Sequence, residues 1–238
     1  MTLPLIPHSR PCLGAEEARA AAAVVASGQI AEGSEVAAFE REAAGYLGVG
    51  HAVCVSSGTA ALYLALAAMG VGPGDEVVVP SFVCAALLHA VAAAGAAPVP
   101  ADIDPETLNI DPADAHARLS RRTKAIIVPH MFGLPADLDR LAALGVPLIE
   151  DCAQAIGGEQ HGRALGSIGA AAVFSFYATK VLATGEGGMV ATASAALAER
   201  VRDIKTYDKK GDRRRRFNFK MTDIQAAIGR VQLRRLAG

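Results

Sequence analysis

The sequence predicts an α/β layered domain with a mostly parallel sheet, on three observations. From residue 51 onward, short apolar runs of strand length alternate with segments of helical periodicity. The runs are continuously apolar rather than alternating, as expected of strands covered on both faces. The polar residues that interrupt them fall at their ends, at residues 56–59, Asp151 and Ser175, where open parallel sheets gather their ligands.

In chain order, residues 15–28 and 34–47 read as amphipathic, alanine-rich helices, the second opening at a Ser34 cap. Strands are expected at 51–55, 76–79, 97–101, 124–129 and 147–151, with helices between them at 59–69, 83–94, 113–119 and 136–144. The glycine-rich residues 70–75 follow a helix rather than a strand, which makes them a turn and not a dinucleotide loop. Residues 171–176 and 188–192 add two strands, with Gly185-Glu186-Gly187-Gly188 turning the chain between them. Helices close the pattern at 194–205 and 222–236. The run Lys209-Lys210-Gly211-Asp212-Arg213-Arg214-Arg215-Arg216 reads as a solvated loop. No internal repeat and no long linker is visible.

Composition narrows the function classes. The chain has 238 residues, enough for one large core, 52% of them apolar, and a net charge of −1. That balance offers no electrostatic case for nucleic acid or an anionic membrane as partner. Residues 77–101 carry no formal charge over a length that could cross a bilayer, but Pro80, Ser81, His89, Gly95 and Pro98 break them into strand, helix and strand. There is no C-x-x-C pair, so neither a zinc site nor a disulfide framework is expected, and a reducing cytoplasm is the default compartment. The start of the chain lacks a basic region and a long apolar core, so no signal peptide is expected. H-E-x-x-H, G-x-S-x-G and G-x-x-x-x-G-K-[ST] are all missing, which removes the commonest metalloprotease, serine hydrolase and triphosphatase readings.

What remains is an acid, a lysine and hydroxyl donors on one rim, the set a protein must supply to hold pyridoxal phosphate. Lys180 follows a strand that ends in two aromatics and a serine. In a partly desolvated pocket its amine loses proton affinity and can form a Schiff base. Asp151 ends the run Pro147-Leu148-Ile149, where a carboxylate can face a protonated ring nitrogen; the competing role is a helix N-cap. Gln154 would begin the next helix and reach the ring hydroxyl. Ser57-Gly58-Thr59 joins strand to helix, where the first helical amides suit a phosphate; a plain cap is the alternative. His130 can line the pocket or serve as a hydrogen-bonded core histidine.

At these residues the chain resembles the pyridoxal-phosphate-dependent sugar aminotransferases of the DegT/DnrJ/EryC1/StrS family. The similar blocks are Ser57-Gly58-Thr59-Ala60-Ala61-Leu62, Gly72-Pro73-Gly74-Asp75-Glu76-Val77 and residues 102–110. Glu150-Asp151-Cys152-Ala153-Gln154, Phe174-Ser175-Phe176 with Thr179-Lys180, residues 185–188 and residues 221–233 complete them. The resemblance implies a three-layer fold-type I transferase. Residues 1–48 would form an N-terminal helical arm that contributes to the small domain and the dimer, and 49–238 the large cofactor-binding domain. It implies a homodimer with composite active sites. Lys180 would carry the cofactor, Asp151 would pair with its nitrogen and Gln154 would contact the ring oxygen. Ser57, Gly58, Thr59 and Ser175 would hold the phosphate. Asn218 would reach the phosphate of the partner subunit's cofactor.

Three departures stand out. Cys84 occupies the position where the family usually stacks an aromatic on the ring, with Phe82 nearby. Lys220 replaces the usual arginine beside Met221. Family members also continue into a C-terminal segment that completes the small domain, so this chain is expected to be a fragment or a short member. The implied reaction moves an amino group from an amino acid, by analogy glutamate, to a keto sugar, by analogy nucleotide-linked. A non-catalytic truncated member is the competing reading. The related sugar dehydratases carry histidine at the lysine position, and Lys180 argues against them.

Overall fold

The computed structural model of the chain describes residues 6, 7, 9–208 and 211–237. Residues 1–5, His8, Lys209, Lys210 and Gly238 lie outside the described residues, among them two lysines of the expected basic loop.

Among the described residues, seven strands form one sheet in the order β1-β9-β8-β5-β4-β2-β3. They are β1 (His51–Val55), β2 (Glu76–Pro80), β3 (Ala97–Ala101), β4 (Thr123–Pro129), β5 (Leu148–Asp151), β8 (Ala171–Ser175) and β9 (Gly188–Thr192). A short hairpin, β6 (Glu159–Gln160) with β7 (Arg163–Ala164), stands apart. β8, β5, β4, β2 and β3 run parallel, and β9 is antiparallel to both β8 and β1. β1 therefore points the same way as the parallel block, and six strands end at one rim. All seven expected strands occur in the main sheet, each at its predicted place within two residues, and the hairpin of β6 and β7 was not expected.

Among the described residues there are eight α-helices: α1 (Ala15–Ser27), α2 (Ser34–Leu47), α3 (Gly58–Ala68), α4 (Ala86–Ala94), α5 (Pro112–Ala117), α6 (Leu138–Ala142), α7 (Ala195–Ile204) and α8 (Asp223–Ala237). Strand alternation sends successive side chains to opposite layers. Cys54, Val78, Ile126, Val128 and Phe174 pack with Phe39 and Leu138 on one side. Val53, Val55, Val77, Val79, Ile127, Ile149 and Val173 pack with Leu64 and Leu66 of α3 on the other. Apolar side chains dominate both layers, which explains why the strands read as apolar runs.

Three expectations are corrected. β3 is not covered on both faces: Ala97, Pro98 and Pro100 are exposed. It is an edge strand, and its prolines explain how the edge is managed. The Ala97 amide donates to the Asp75 carbonyl at 2.9 Å toward the sheet. Pro98 and Pro100 alternate with it and present an edge with no amides to offer. Second, residues 153–157 form turns rather than the helix expected to begin at Gln154. Third, Ser34 is the first residue of α2 and not its cap. Asp223, at the start of α8, supplies the cap from across the fold: its carboxylate accepts the amides of Gly33 (2.8 Å), Val36 (3.0 Å) and Glu35 (3.2 Å). Asp223 is 1% exposed, between two helix N-termini whose dipoles both favour a negative charge. Through it, and through contacts of α1 and α2 with α8, the two ends of the chain are fastened together.

Asp223→Ala leaves three amide donors without their acceptor at one point and should destabilise the chain by about 2–3 kcal/mol in urea unfolding, with the denaturant slope unchanged. Asp223→Asn, which keeps one acceptor oxygen, should lose less. Equal stability of all three proteins would show that the cap carries no weight.

Candidate active site

The common rim explains how residues far apart in sequence meet. Turns leave β1 at Ser56, β2 at Ser81, β4 at His130, β5 at Cys152 and β8 at Phe176, and β9 arrives there at Gly188. These turns surround a cavity of about 300 Å³. Ser57, Gly58, Thr59, Cys84, Asp151, Gln154, Ser175 and Lys180 all line it. Eight of the nine residues singled out in the sequence are thus brought together. Asn218 is the exception; it lies exposed on an extended segment bridged to Thr206.

The floor of the cavity is a backbone cradle. Ser57 caps α3, its hydroxyl accepting the Ala60 amide at 3.1 Å, so the cap expected as the alternative for this turn is present. The amides of Gly58 and Thr59 open the helix and have no preceding turn to bond. A side chain at Gly58 would meet Ser175 Cβ at 2.8 Å, and one at Gly188 would meet the Ser57 carbonyl at 2.4 Å. Only glycines let α3, β8 and β9 approach this closely. The result is a concave set of amides and two serine hydroxyls at a helix N-terminus, suited to an anion.

On β5, alternation separates two neighbouring acids. Glu150 faces the core and accepts the amides of Gly166 (2.8 Å), Ile168 (2.8 Å) and Gly169 (2.6 Å). Ala136 donates its amide to His130 Nδ1 at 3.1 Å, so the neutral ring carries its proton on Nε2, 3.3 Å from Glu150. Burial pushes the Glu150 carboxyl up, but the His130 bond and the three amides outweigh it and hold the group below its ordinary range. His130, Glu150 and Cys152 place potential metal ligands within 4.8 Å of one another, yet both ring nitrogens and both carboxylate oxygens are engaged in these bonds. Burial meanwhile raises the Cys152 thiol and keeps it protonated. His130 therefore both lines the cavity and serves the core.

Asp151 is treated differently. It is 8% exposed and accepts one amide, that of Ala153 at 3.0 Å. Burial pushes its carboxyl above the ordinary range, and the Ala153 amide and the charge of Lys180 offset this only in part. An acid so placed is short of a cationic partner. Lys180 is half-buried, in a loop braced by bonds from its own amide to the Tyr177 carbonyl (2.8 Å) and from Thr184 to Phe176 (2.9 Å). Its amine makes no hydrogen bond to another described residue.

Gln154 is oriented by a residue that the sequence did not point to. The Phe132 amide donates to Gln154 Oε1 at 3.1 Å, which leaves the Gln154 NH₂ as a donor for a ligand. Phe132 holds a left-handed backbone, with φ of 54°, in the short turn Met131–Gly133. Its strained conformation beside the cavity is invisible in sequence, because phenylalanine carries no signal for positive φ. Gly188 and Glu150 were likewise legible only as parts of similar blocks. Cys84 lies exposed at the mouth, and Phe82 is 47% exposed.

The DegT/DnrJ/EryC1/StrS aminotransferase family model matches residues 11–238. The chain belongs to this family. Its enzymes depend on pyridoxal phosphate. The chain is 40% identical to the spore coat polysaccharide biosynthesis protein SpsC of Bacillus subtilis, over 97% of its own length and 64% of SpsC. It is 43% identical to GDP-perosamine synthase of Caulobacter vibrioides, over 86% of its length and 57% of the synthase. Among solved structures, the aminotransferase TlmJ from Streptoalloteichus hindustanus superposes with a TM-score of 0.93 at 41% identity, covering 97% of this chain and 66% of TlmJ. The chain thus spans less than two thirds of the two curated relatives.

The site fits that cofactor on its own geometry. The cradle excludes any Cβ at Gly58 and Gly188, the amine of Lys180 is uncommitted among the described residues, and a ring N–H⁺ would supply the cation that the buried Asp151 lacks.

The raised Asp151 pKa makes a stability prediction. A carboxyl whose folded pKa lies above its unfolded value favours folding below the unfolded value, about pH 4, and loses that contribution as pH rises through the folded pKa. Asp151→Asn should therefore raise the thermal midpoint of the cofactor-free chain at pH 7, with the gain vanishing near about pH 4. A variant less stable than wild type at pH 7 would contradict the environment described.

Proposed function

We propose that this chain carries the cofactor-binding part of a pyridoxal-phosphate-dependent aminotransferase acting on a keto sugar, with Lys180 and Asp151 as its catalytic residues. The observation that supports it most is the shared cavity: one buried acid, one uncommitted amine and one amide cradle line the same 300 Å³ space. SpsC and GDP-perosamine synthase, by their names, serve polysaccharide and sugar-nucleotide synthesis, which favours a nucleotide-linked keto sugar as amino acceptor and an amino acid, glutamate by analogy, as donor.

When bound, pyridoxal phosphate supplies the electron sink that lets an amino group pass between two carbon skeletons. The chain's own residues do the rest. Asp151 holds a proton on the ring nitrogen by pairing with it in a water-poor site, where the pairing is stronger than in bulk solvent. Lys180 would hold the cofactor by its aldehyde, and its amine, once free, would take a proton from the donor α-carbon. His130 cannot compete for that role because both of its nitrogens are already bonded. Gln154 directs its NH₂ to the ring oxygen. Gly58, Thr59, Ser57 and Ser175 would hold the phosphate and so fix the position of the cofactor.

The active unit is a homodimer on this reading. Leu88, Phe132, Tyr177 and Val181 expose large apolar surface near the cavity, which a second copy would cover, and the exposed Asn218 is free to serve the partner's phosphate site. Residues 1–48 then form the helical arm, and 49–238 the large domain.

The test begins with colour. The chain mixed with pyridoxal phosphate should absorb in the visible, and borohydride should fix the cofactor on Lys180, read by peptide mass. Adding glutamate should bleach the band. Lys180→Ala should bind without covalent attachment and transfer no amine, and Asp151→Asn should slow transfer by about 10²–10³-fold. Colour that resists every amino acid would identify a cofactor-holding chain without turnover. No attachment at Lys180 would overturn the assignment.

A further inference from the structure

β1 is an edge strand, paired with β9 on one side only, and its other edge is closed by charge rather than by a strand. Three of its outward backbone groups are taken by side chains. The Cys54 amide donates to Glu40 Oε1 at 2.8 Å, the Cys54 carbonyl accepts from Lys205 Nζ at 3.1 Å, and the Ala52 carbonyl accepts from Arg202 at 3.3 Å. The next outward amide, that of Ser56, donates to the Phe219 carbonyl at 2.8 Å. The Phe219 amide donates in turn to the Lys205 carbonyl at 2.9 Å. Lys205 thus closes a ring of bonds through its side chain to Cys54, along the backbone to Ser56, across to Phe219 and back to its own carbonyl.

This lysine is 4% exposed, a costly place for an ammonium group. Glu32 holds it at 2.6 Å and Glu40 lies at 3.7 Å. An edge could be closed more cheaply by an uncharged donor. What the charge adds is a short, directional grip on Cys54 near the end of β1, three residues before Ser57, and on the segment that carries Asn218. The neighbouring Tyr63 packs edge-on against the stacked rings of Phe217 and Phe219, at 5.3 and 6.1 Å, which holds the same segment from the α3 side.

We infer that Lys205 is a positioning residue for the phosphate cradle, and that through Phe219 it couples the aim of the Gly58 and Thr59 amides to the placement of Asn218. The inference rests on the reading of residues 57–59 as a phosphate site. Amide vectors that slip by a fraction of an ångström lose much of their grip on a dianion, whereas Asp151, Gln154 and Lys180, the residues proposed to hold the ring, sit at or after the ends of β5 and β8 and are untouched.

The experiment uses the full chain and two probes, pyridoxal phosphate and pyridoxal, which share ring and aldehyde and differ in the phosphate. In Lys205→Met the dissociation constant for pyridoxal phosphate should rise about tenfold while that for pyridoxal stays within about twofold, so the preference for the phosphorylated probe falls. A preference equal to wild type, whether both affinities hold or both weaken together, overturns the inference. If wild type itself shows no preference, the phosphate reading fails instead, so the two failures are distinguishable. Should Lys205→Met not fold, Glu32→Gln loosens the grip while keeping the lysine and should cut the preference about threefold. Hydrogen exchange at the Ser56 and Phe219 amides should quicken in that variant while β8 amides do not change; unaltered exchange at both would also overturn the inference.

Discussion

A carboxylate buried at the end of β5 with a single amide for company is the constraint around which this molecule is arranged. Glu150 and Asp151 are adjacent, and a strand must send them to opposite faces. Glu150 falls where three amides and a histidine converge, and its charge is fully answered. Asp151 falls on the cavity side, where burial works against its ionised form and the chain provides only partial relief. An acid left in that state is costly unless a cation completes it. The uncommitted amine of Lys180, the anion cradle and the donor face of Gln154 supply the remaining contacts for a ligand that brings such a cation with it.

The second organising feature is the reversed strand β9. By entering antiparallel between β1 and β8, it delivers its N-terminal glycine to the rim where its neighbours end. Gly188 then packs under the Ser57–Gly58 peptide at a distance that excludes any side chain. A parallel strand in this place would bring its C-terminus instead. The cradle is therefore a consequence of topology as much as of glycine content, and the charged closure of β1's outer edge keeps that cradle from drifting. Asp223 does comparable work at a distance, tying α2 to α8 and so the beginning of the chain to its end.

Most of the architecture was legible in the pattern of apolar runs. Burial on both faces demands unbroken apolar strands, and the helices between them show the usual periodicity, so the sheet could be placed almost residue by residue. β3 misled because alanine, proline and valine satisfy a buried strand and an exposed edge equally well. The helix expected after Asp151 misled because its polar start looks the same whether the amide it caps begins a helix or a turn. Ser34 looked like a cap because its chemistry suits one, but the acceptor that serves α2 comes from nearly 190 residues away, and no local signal announces it. In the site, residue type marked the acid, the lysine and the serines. The role of Phe132, the division of labour between Glu150 and Asp151 and the reach of Lys205 had no comparable mark.

Chain chemistry alone was enough to decide where the strands lie, that most of them run parallel, and the rim on which the reactive side chains collect, because hydrophobic periodicity is a local property that any compact fold must respect. It also decided which chemistry was on offer, since an amine, an acid and a phosphate-binding turn are written in residue types. Which lone pairs and protons remain available is a different matter. Glu150 and His130 are spent on each other and on backbone amides, Gln154 has one end taken, and Asp151 and Lys180 are left over. That distinction came only from the folded chain, because a hydrogen bond depends on distances between atoms that the sequence places far apart.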